Sequence, residues 1–329
     1  MKVMVTGAGG FIGGYLVRRL LAEGEEVVAV DIKPKEDWWQ WHVDAHNYEC
    51  FDVGNMPHML PVLLETVGDV YHLAENMGGI GFIETHRVDC LSSVTTSVAL
   101  LNALQPGQHR IFFSSSACAY SQVFQSQANA ALLTPLKENM AWPALPEEGY
   151  GLQKLYVEKL CQWHREERGL SVRVARFHNS YGPHGSWNDG REKAPAALCR
   201  KVATAIITGN REIEVWGTGE QLRSFMFITD NIRGIDHIMS SGYPDPVNLG
   251  SSELVTVDEL VDIIEQVSEI TQLKRVYNFG AAQGVMGRSS DNKLLRRVTG
   301  GWEPDISLVD GITSLYPWIY DQVKKALHE

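Results

Sequence analysis

Tyr150-Gly-Leu-Gln-Lys154 places a phenol and an ammonium four residues apart, on one face of a helix. A tyrosine is a poor base at its ordinary pKa of about 10. A neighbouring ammonium, together with a positively charged hydride acceptor, would lower that value and make the phenolate accessible. Upstream, Ser114-Ser-Ser-Ala-Cys-Ala-Tyr120 follows His109-Arg-Ile-Phe-Phe, a run that reads as a buried strand. Ser116, at the strand's end, can share a hydrogen bond with the hydroxyl that Tyr150 deprotonates. Serine, tyrosine and lysine arranged in this way take a proton from an alcohol while a hydride leaves for an acceptor. Cys118 stands two residues beyond Ser116. A thiol of ordinary pKa about 8.5 serves as acid or base when positive charge is near. By itself it is as readily a small core residue, since cysteines are commonly buried.

The hydride acceptor has a place at the N-terminus. Lys2-Val-Met-Val-Thr6 reads as a short strand, Gly14 to Glu23 as an amphipathic helix, and Glu26-Val-Val-Ala-Val-Asp31 as a second strand. Between the first strand and the helix lies Gly7-Ala-Gly-Gly-Phe11-Ile12-Gly13. Gly7 allows a tight turn, Gly10 lets the backbone approach a pyrophosphate at the helix N-terminus, and Gly13 allows close helix–strand packing. Asp31 ends the second strand, where a carboxylate accepts hydrogen bonds from an adenosine ribose. A 2′-phosphate would meet like charge there, so the expected cofactor is NAD rather than NADP. Phe11 and Ile12 of the turn, Asp52 in Cys50-Phe-Asp-Val, and Leu73 in Val70-Tyr-His-Leu-Ala74 complete this candidate cofactor set.

Strand and helix patterns alternate through about residue 176. Strands are expected at 69–74, 110–114 and 171–176, with helices at 88–104 and 150–167. This alternation implies an α/β fold, a Rossmann-type doubly wound parallel sheet with right-handed crossovers. Residues 184–195 read as an irregular loop, 196–208 as a helix, and Val247-Asn-Leu-Gly250 as a strand returning to the sheet. Further helices are expected over 255–271 and 309–326. We expect an NAD-binding domain over residues 1–177, with a returning segment near 225–250. Residues 178–224 and 251–329 would form a smaller substrate-binding domain, with the active site in the cleft between the two.

Composition narrows the classes. The chain has 329 residues, 44% hydrophobic, with a net charge of -11, which argues against a general nucleic-acid surface. Its five cysteines are an odd number without a C-x-x-C pair. That pattern suggests reduced thiols in a cytoplasmic compartment and no metal site. No apolar run is long enough to span a membrane, and the N-terminus reaches glycines too early for a signal peptide.

With Gly7-x-x-Gly10-x-x-Gly13, Asp31, His72-Leu-Ala74, Ser114-Ser-Ser116, Tyr150-x-x-x-Lys154, Arg176-Phe-His-Asn179 and Tyr181-Gly-Pro183, the chain resembles the extended short-chain dehydrogenase/reductase family. That is the family of NAD-dependent nucleotide-sugar epimerases and dehydratases. Within it, further stretches are similar to the GDP-mannose 3,5-epimerases. These are Met77-Gly-Gly-Ile-Gly-Phe-Ile83, Ser115-Ser-Ala-Cys-Ala-Tyr120, Gly190-Arg-Glu-Lys-Ala-Pro-Ala-Ala197, Gln221-Leu-Arg-Ser-Phe225 and Gly287-Arg-Ser-Ser-Asp-Asn292.

The resemblance implies transient oxidation of a GDP-sugar at C4, which acidifies the C3 and C5 hydrogens, and then return of the hydride. Cys118 and Lys193 match the acid–base pair that exchanges those protons. Without the resemblance, Lys193 reads as a solvated loop lysine. Gly79, Asn179, Glu192, Lys193 and Ala194 match positions that line the sugar. Lys201, Gln221, Arg223 and Arg288 match positions near the nucleotide and its pyrophosphate, where guanidinium donors suit phosphate oxygens. Phe177 and His178 match positions beside the nicotinamide. A homodimer is the family expectation.

The chain departs from that pattern at several positions. Met286 stands where the family has a second arginine, and Ser121 where it has a proline. Asparagines expected near Ser92 and Ser93 are absent, and Val123–Thr134 is unusually rich in small and polar residues. Inversion at C5 alone, or action on a modified GDP-sugar such as a heptose, fits these departures equally well. A 4,6-dehydratase would carry Thr-Asp-Glu at Ser116-Ala-Cys118, so its expelling acid is missing. An NAD-binding regulator on the same fold would not need Ser116, Tyr150 and Lys154.

Overall fold

A computed structural model gives the fold and describes residues 1–39, 47–125, 133–282 and 284–328. Most of the Val123–Thr134 stretch therefore lies outside the described residues. Through residue 177 the order is β1 (Lys2–Thr6), α1 (Phe11–Ala22), β2 (Val27–Asp31), β3 (Asn47–Cys50), α2 (Leu60–Leu64), β4 (Val67–His72), α3 (Ile80–Thr85), α4 (Arg87–Ala103), β5 (Arg110–Ser116), α5 (Tyr150–Arg168) and β6 (Ser171–Phe177). Beyond it come β7 (Ser180–Tyr181), α6 (Ala194–Thr208), β8 (Glu212–Trp216), β9 (Leu222–Ser224), β10 (Met226–Phe227) and α7 (Ile228–Ser240). The chain closes with β11 (Val247–Leu249), β12 (Leu254–Thr256), α8 (Val257–Ser268), β13 (Lys274–Asn278), β14 (Gly287–Arg288), α9 (Lys293–Val298) and α10 (Leu308–His328).

Among the described residues, seven strands form one parallel sheet in the order β11-β6-β5-β4-β1-β2-β3. The strands are apolar because helices cover both faces. Ile111, Phe112 and Phe113 of β5 are fully buried, and each such side chain contributes about 1.5–3 kcal/mol of hydrophobic stabilisation. Strand order reverses between β1 and β4, and ligands bind outside the carboxyl ends of strands at such a point. The glycine turn after β1 and Ser116 at the end of β5 both face this crevice. The expected returning strand is β11, which pairs with β6 through Ala175, Arg176 and Phe177.

Element ends differ modestly from expectation. The first helix begins at Phe11 rather than Gly14, because Gly10 is its N-cap residue. The strand expected over 69–74 stops at His72, where Leu73 and Ala74 turn against Gly7. The helix α7, not anticipated, packs Ile228, Ile232, Ile235 and Ile238 into the core. Small sheets β7–β10, β12–β9–β14 and β8–β13 build the region beyond the main sheet.

Candidate active site

The glycine turn has the form a dinucleotide needs. Gly7 adopts φ +75, and a side chain there would strike Leu73 and Ala74. A Cβ on Gly13 would lie 2.0 Å from the Gly7 carbonyl oxygen, so only glycine lets α1 pack this close. Gly10 is the N-cap residue of α1 and provides no side-chain cap, as at helix termini that bind anions. Asp31 is buried at the end of β2 and accepts from the Gly9 amide at 2.8 Å and the Lys33 amide at 3.0 Å. The turn, the open helix terminus and the placed carboxylate fit an NAD cofactor. Phe11 opens α1 beside Gly182 and Gly185, with Ile12 next to it. Asp52, beyond β3, caps its own turn through the amides of Gly54 and Asn55. Phe177 ends β6 with its ring 6.1 Å from Phe112, and His178 is buried with Nε2 3.1 Å from Asn248 Oδ1.

Across the crevice, Ser116 ends β5 and accepts the Cys118 amide at 3.1 Å, which turns the chain and aims the thiol back toward α5. Tyr150 is the first residue of α5. A side chain on Gly151 would strike the Cys118 carbonyl at 2.3 Å, so α5 begins hard against this turn. Cys118 and Tyr150 fall in one buried cluster with Phe82, Ile83 and Cys90. Lys154 is 1% exposed, donates to the Ser114 carbonyl at 2.5 Å, and lies 5.6 Å from the Tyr150 ring centre.

The Lys154 ammonium and the positive ring of the cofactor together are expected to lower the Tyr150 pKa. Burial acts against them, with Cys118 and then Glu75 adding to it, and by itself holds the phenol well above its ordinary value. Glu75 also pairs with Lys154 at 2.7 Å.

Cys118 and Lys193, the expected acid–base pair, share a second cluster. Arg288 donates to the Cys118 sulfur at 3.5 Å, to Glu147 at 2.8 Å and to Gln125 at 2.6 Å. Burial first, then the Glu147 carboxylate, pushes the Cys118 thiol up to about 11, while Arg288 opposes the rise. Lys193 occupies the N-cap position of α6 without a side-chain capping bond and interacts electrostatically with Cys118, Arg288 and Glu147. Burial lowers its pKa. Desolvation thus shifts both groups toward their uncharged forms.

The Met77–Ile83 and Gly190–Ala197 stretches meet directly. The Gly79 amide donates to the Arg191 carbonyl at 2.8 Å, and a side chain on Gly79 would strike the Glu192 carbonyl at 2.3 Å. Glu192 pairs with Arg200 at 2.8 Å, and Asn179 donates to the Ser224 carbonyl at 3.0 Å. Ala194 opens α6. Arg288, which by resemblance matches a position near the nucleotide and its pyrophosphate, lies in the Cys118 cluster. Arg223 neighbours it, and burial, with Arg288 adding repulsion, pulls the Arg223 guanidinium down to about 10. Gln221 is buried just before β9. Lys201 stands further out, bound to Glu214 at 3.1 Å and 5.6 Å from the Trp216 ring centre. A separate surface pocket around Trp142, Arg165 and Tyr243 holds none of the candidate residues.

Residues 3–250 match the model of the NAD dependent epimerase/dehydratase family. The chain belongs to that family. It is 39% identical over 327 residues to GDP-mannose 3,5-epimerase 1 of Oryza sativa subsp. indica, covering 99% of this chain and 83% of that protein. It is 38% identical to GDP-mannose 3,5-epimerase of Arabidopsis thaliana, covering 99% and 84%. Among solved structures, it is similar to UDP-glucuronic acid 4-epimerase from Bacillus cereus in complex with UDP-glucuronic acid and NAD. The TM-score is 0.83 at 21% identity, over 98% of this chain and all of that one, which shows the shared fold. As a member of the epimerase/dehydratase family the protein is an NAD-dependent enzyme. Among the described residues, no helix is long and apolar enough to cross a membrane, and no group of side chains could hold a metal ion.

Sequence reasoning missed Glu75, Gln125 and Glu147. Each is a polar residue whose partner lies far away in the chain, and no local pattern marks it.

Proposed function

We propose that the enzyme epimerises a GDP-hexose, with GDP-mannose as substrate and C5 and C3 as the inverted centres. The carrying observation is the Cys118 cluster. A 4-epimerase needs only the oxidation groups Ser116, Tyr150 and Lys154. Here a buried thiol and a desolvated lysine share a second cluster beside them, as exchange of two carbon-bound protons requires. The relatives' names support the same reading.

Tyr150 takes the C4 hydroxyl proton, Ser116 holds that oxygen, and Lys154 supplies positive charge nearby. The glycine turn and Asp31 would hold NAD, which would supply a reversible hydride acceptor at C4. The C4 ketone makes the C5 and C3 hydrogens acidic. Cys118 and Lys193 then act as base and acid on opposite faces of the ring. Arg223 supports binding of the diphosphate, since a buried guanidinium repelled by Arg288 gains from an anion. Gly78 and Gly79 let the hexose approach the backbone.

A homodimer is part of this reading. Leu152, Tyr156 and Trp163 on α5, and Val88 and Leu91 on the adjoining α4, are exposed apolar side chains. All five cysteines are free thiols, which fits work in the reducing cytoplasm. Incubation with GDP-mannose and NAD, followed by release and identification of the hexoses, tests the reaction. Galactose- and gulose-configured products are expected, and unchanged mannose would overturn the proposal.

A further inference from the structure

Glu75 is buried, with its side chain 4% exposed, and has no role in the reaction described so far. It follows Leu73 and Ala74, the residues that pack on Gly7, so its backbone borders the glycine turn. Its Oε1 accepts from Lys154 at 2.7 Å and from the Gln153 amide at 3.3 Å. Its Oε2 is buried and makes no hydrogen bond of good geometry among the described residues, although the Ser93 hydroxyl also favours the charged carboxylate. A carboxylate oxygen in that state calls for a ligand that offers positive charge or a donor. Lys154 is similarly incomplete. Its ammonium has three donors, and the Ser114 carbonyl and Glu75 take two. Glu75 therefore lies between the glycine turn and the Tyr150–Lys154 pair, where the hydride-carrying half of the cofactor must reach.

We propose that Glu75 is a charge-positioning residue of the oxidation site. One carboxylate oxygen anchors the Lys154 ammonium beside Tyr150, and the other faces the positively charged ring of oxidised NAD. This rests on the reading of the crevice as the nicotinamide site. Other charges around the pair do not replace it. Glu158 on α5 is committed to Arg176 at 2.7 Å, and His72 on β4 is held between Thr6 and Ser97. Cys118 and Cys90 are thiols that burial keeps protonated. Glu75 is thus the carboxylate that balances Lys154; burial pushes its pKa up, and the Lys154 ammonium beside it is the main opposing influence. With it, the site accepts a cationic ring; without it, the lysine repels that ring and favours the neutral, reduced form. Hydride return to the sugar depends on that preference.

The test is the pair of dissociation constants for NAD and NADH, measured by calorimetry at pH 6.5 without any sugar. For Glu75→Gln we expect the NADH:NAD affinity ratio to rise about tenfold over wild type, mainly through weaker NAD binding. Glu75→Asp keeps the charge and should stay near the wild-type ratio, which provides a folded comparison if the Gln variant does not accumulate. Equal changes in both affinities, or none, would overturn the role of Glu75 and leave the cofactor site standing. So would Glu75→Asp shifting the ratio as far as the loss of charge should. A wild-type protein that binds neither form would overturn the cofactor reading, and this proposal with it.

Discussion

Arg288 reaches from β14 to donate to the sulfur of Cys118 at 3.5 Å, and the two residues are 170 positions apart in the chain. The same guanidinium holds Glu147 at 2.8 Å. Cys118 therefore sits between one group that favours its thiolate and one that opposes it.

The first prediction concerns that balance. The carboxylate of Glu147 raises the thiol's pKa, so Glu147→Gln should lower it. A fall of about one unit raises the thiolate fraction about tenfold at a fixed pH below the pKa. Arg288→Met should act in the opposite direction. Rates of Cys118 alkylation by iodoacetamide across pH 7–10, with Cys118→Ala as the blank, measure both.

Cys118→Ala and Lys193→Ala should each slow exchange of ring protons with solvent about 10²–10⁴-fold, the usual contribution of a positioned acid or base. Neither should abolish NAD binding, because neither borders the glycine turn. Calorimetry with NAD and exchange followed by NMR separate the two effects.

Tyr150→Phe should retain NAD and lose oxidation of the sugar. A protein that acts only as an NAD-binding regulator would keep its biological effect in this variant. An NAD titration beside a turnover assay distinguishes the cases.

Gly13→Ala should remove or severely weaken NAD binding and destabilise the fold. The added methyl would lie 2.0 Å from the Gly7 carbonyl, and backbone on both sides would have to move. Thermal melts with and without NAD measure both losses.

Arg176→Met should cost stability of about 3–5 kcal/mol, the usual penalty for stranding one member of a buried ion pair. Arg176 grips Glu158 through two nitrogens at 2.8 and 2.7 Å, and the Ser115 hydroxyl donates to the same carboxylate. Urea unfolding of the variant and wild type gives the difference.

Much of the fold was legible in the sequence because its signals are local. The glycines, the apolar β1 and β2 and Asp31 lie within 31 residues and specify a βαβ unit together. Tyr150 and Lys154 are one helical turn apart, and their face follows from that spacing. The helix α7 was equally readable, since Ile228, Ile232, Ile235 and Ile238 recur at helical spacing, but its interleaved Asp, Asn and Arg obscured the pattern. Glu75, Gln125 and Glu147 were not legible. Their significance comes from burial and from partners that only the folded sheet brings near, as when Gln125 accepts from Arg288 163 residues away. The depth of Tyr150 was not legible either, since the burial that raises its pKa comes from elements packed around it in the fold.

The most direct test of the central claim is proton NMR of GDP-mannose incubated with the enzyme and NAD in deuterated water. Transient oxidation at C4, followed by proton exchange through Cys118 and Lys193, predicts deuterium at both C5 and C3, with its appearance suppressed in Cys118→Ala and Lys193→Ala. Absence of deuterium from both carbons in the wild-type reaction, or undiminished labelling in both variants, would contradict it.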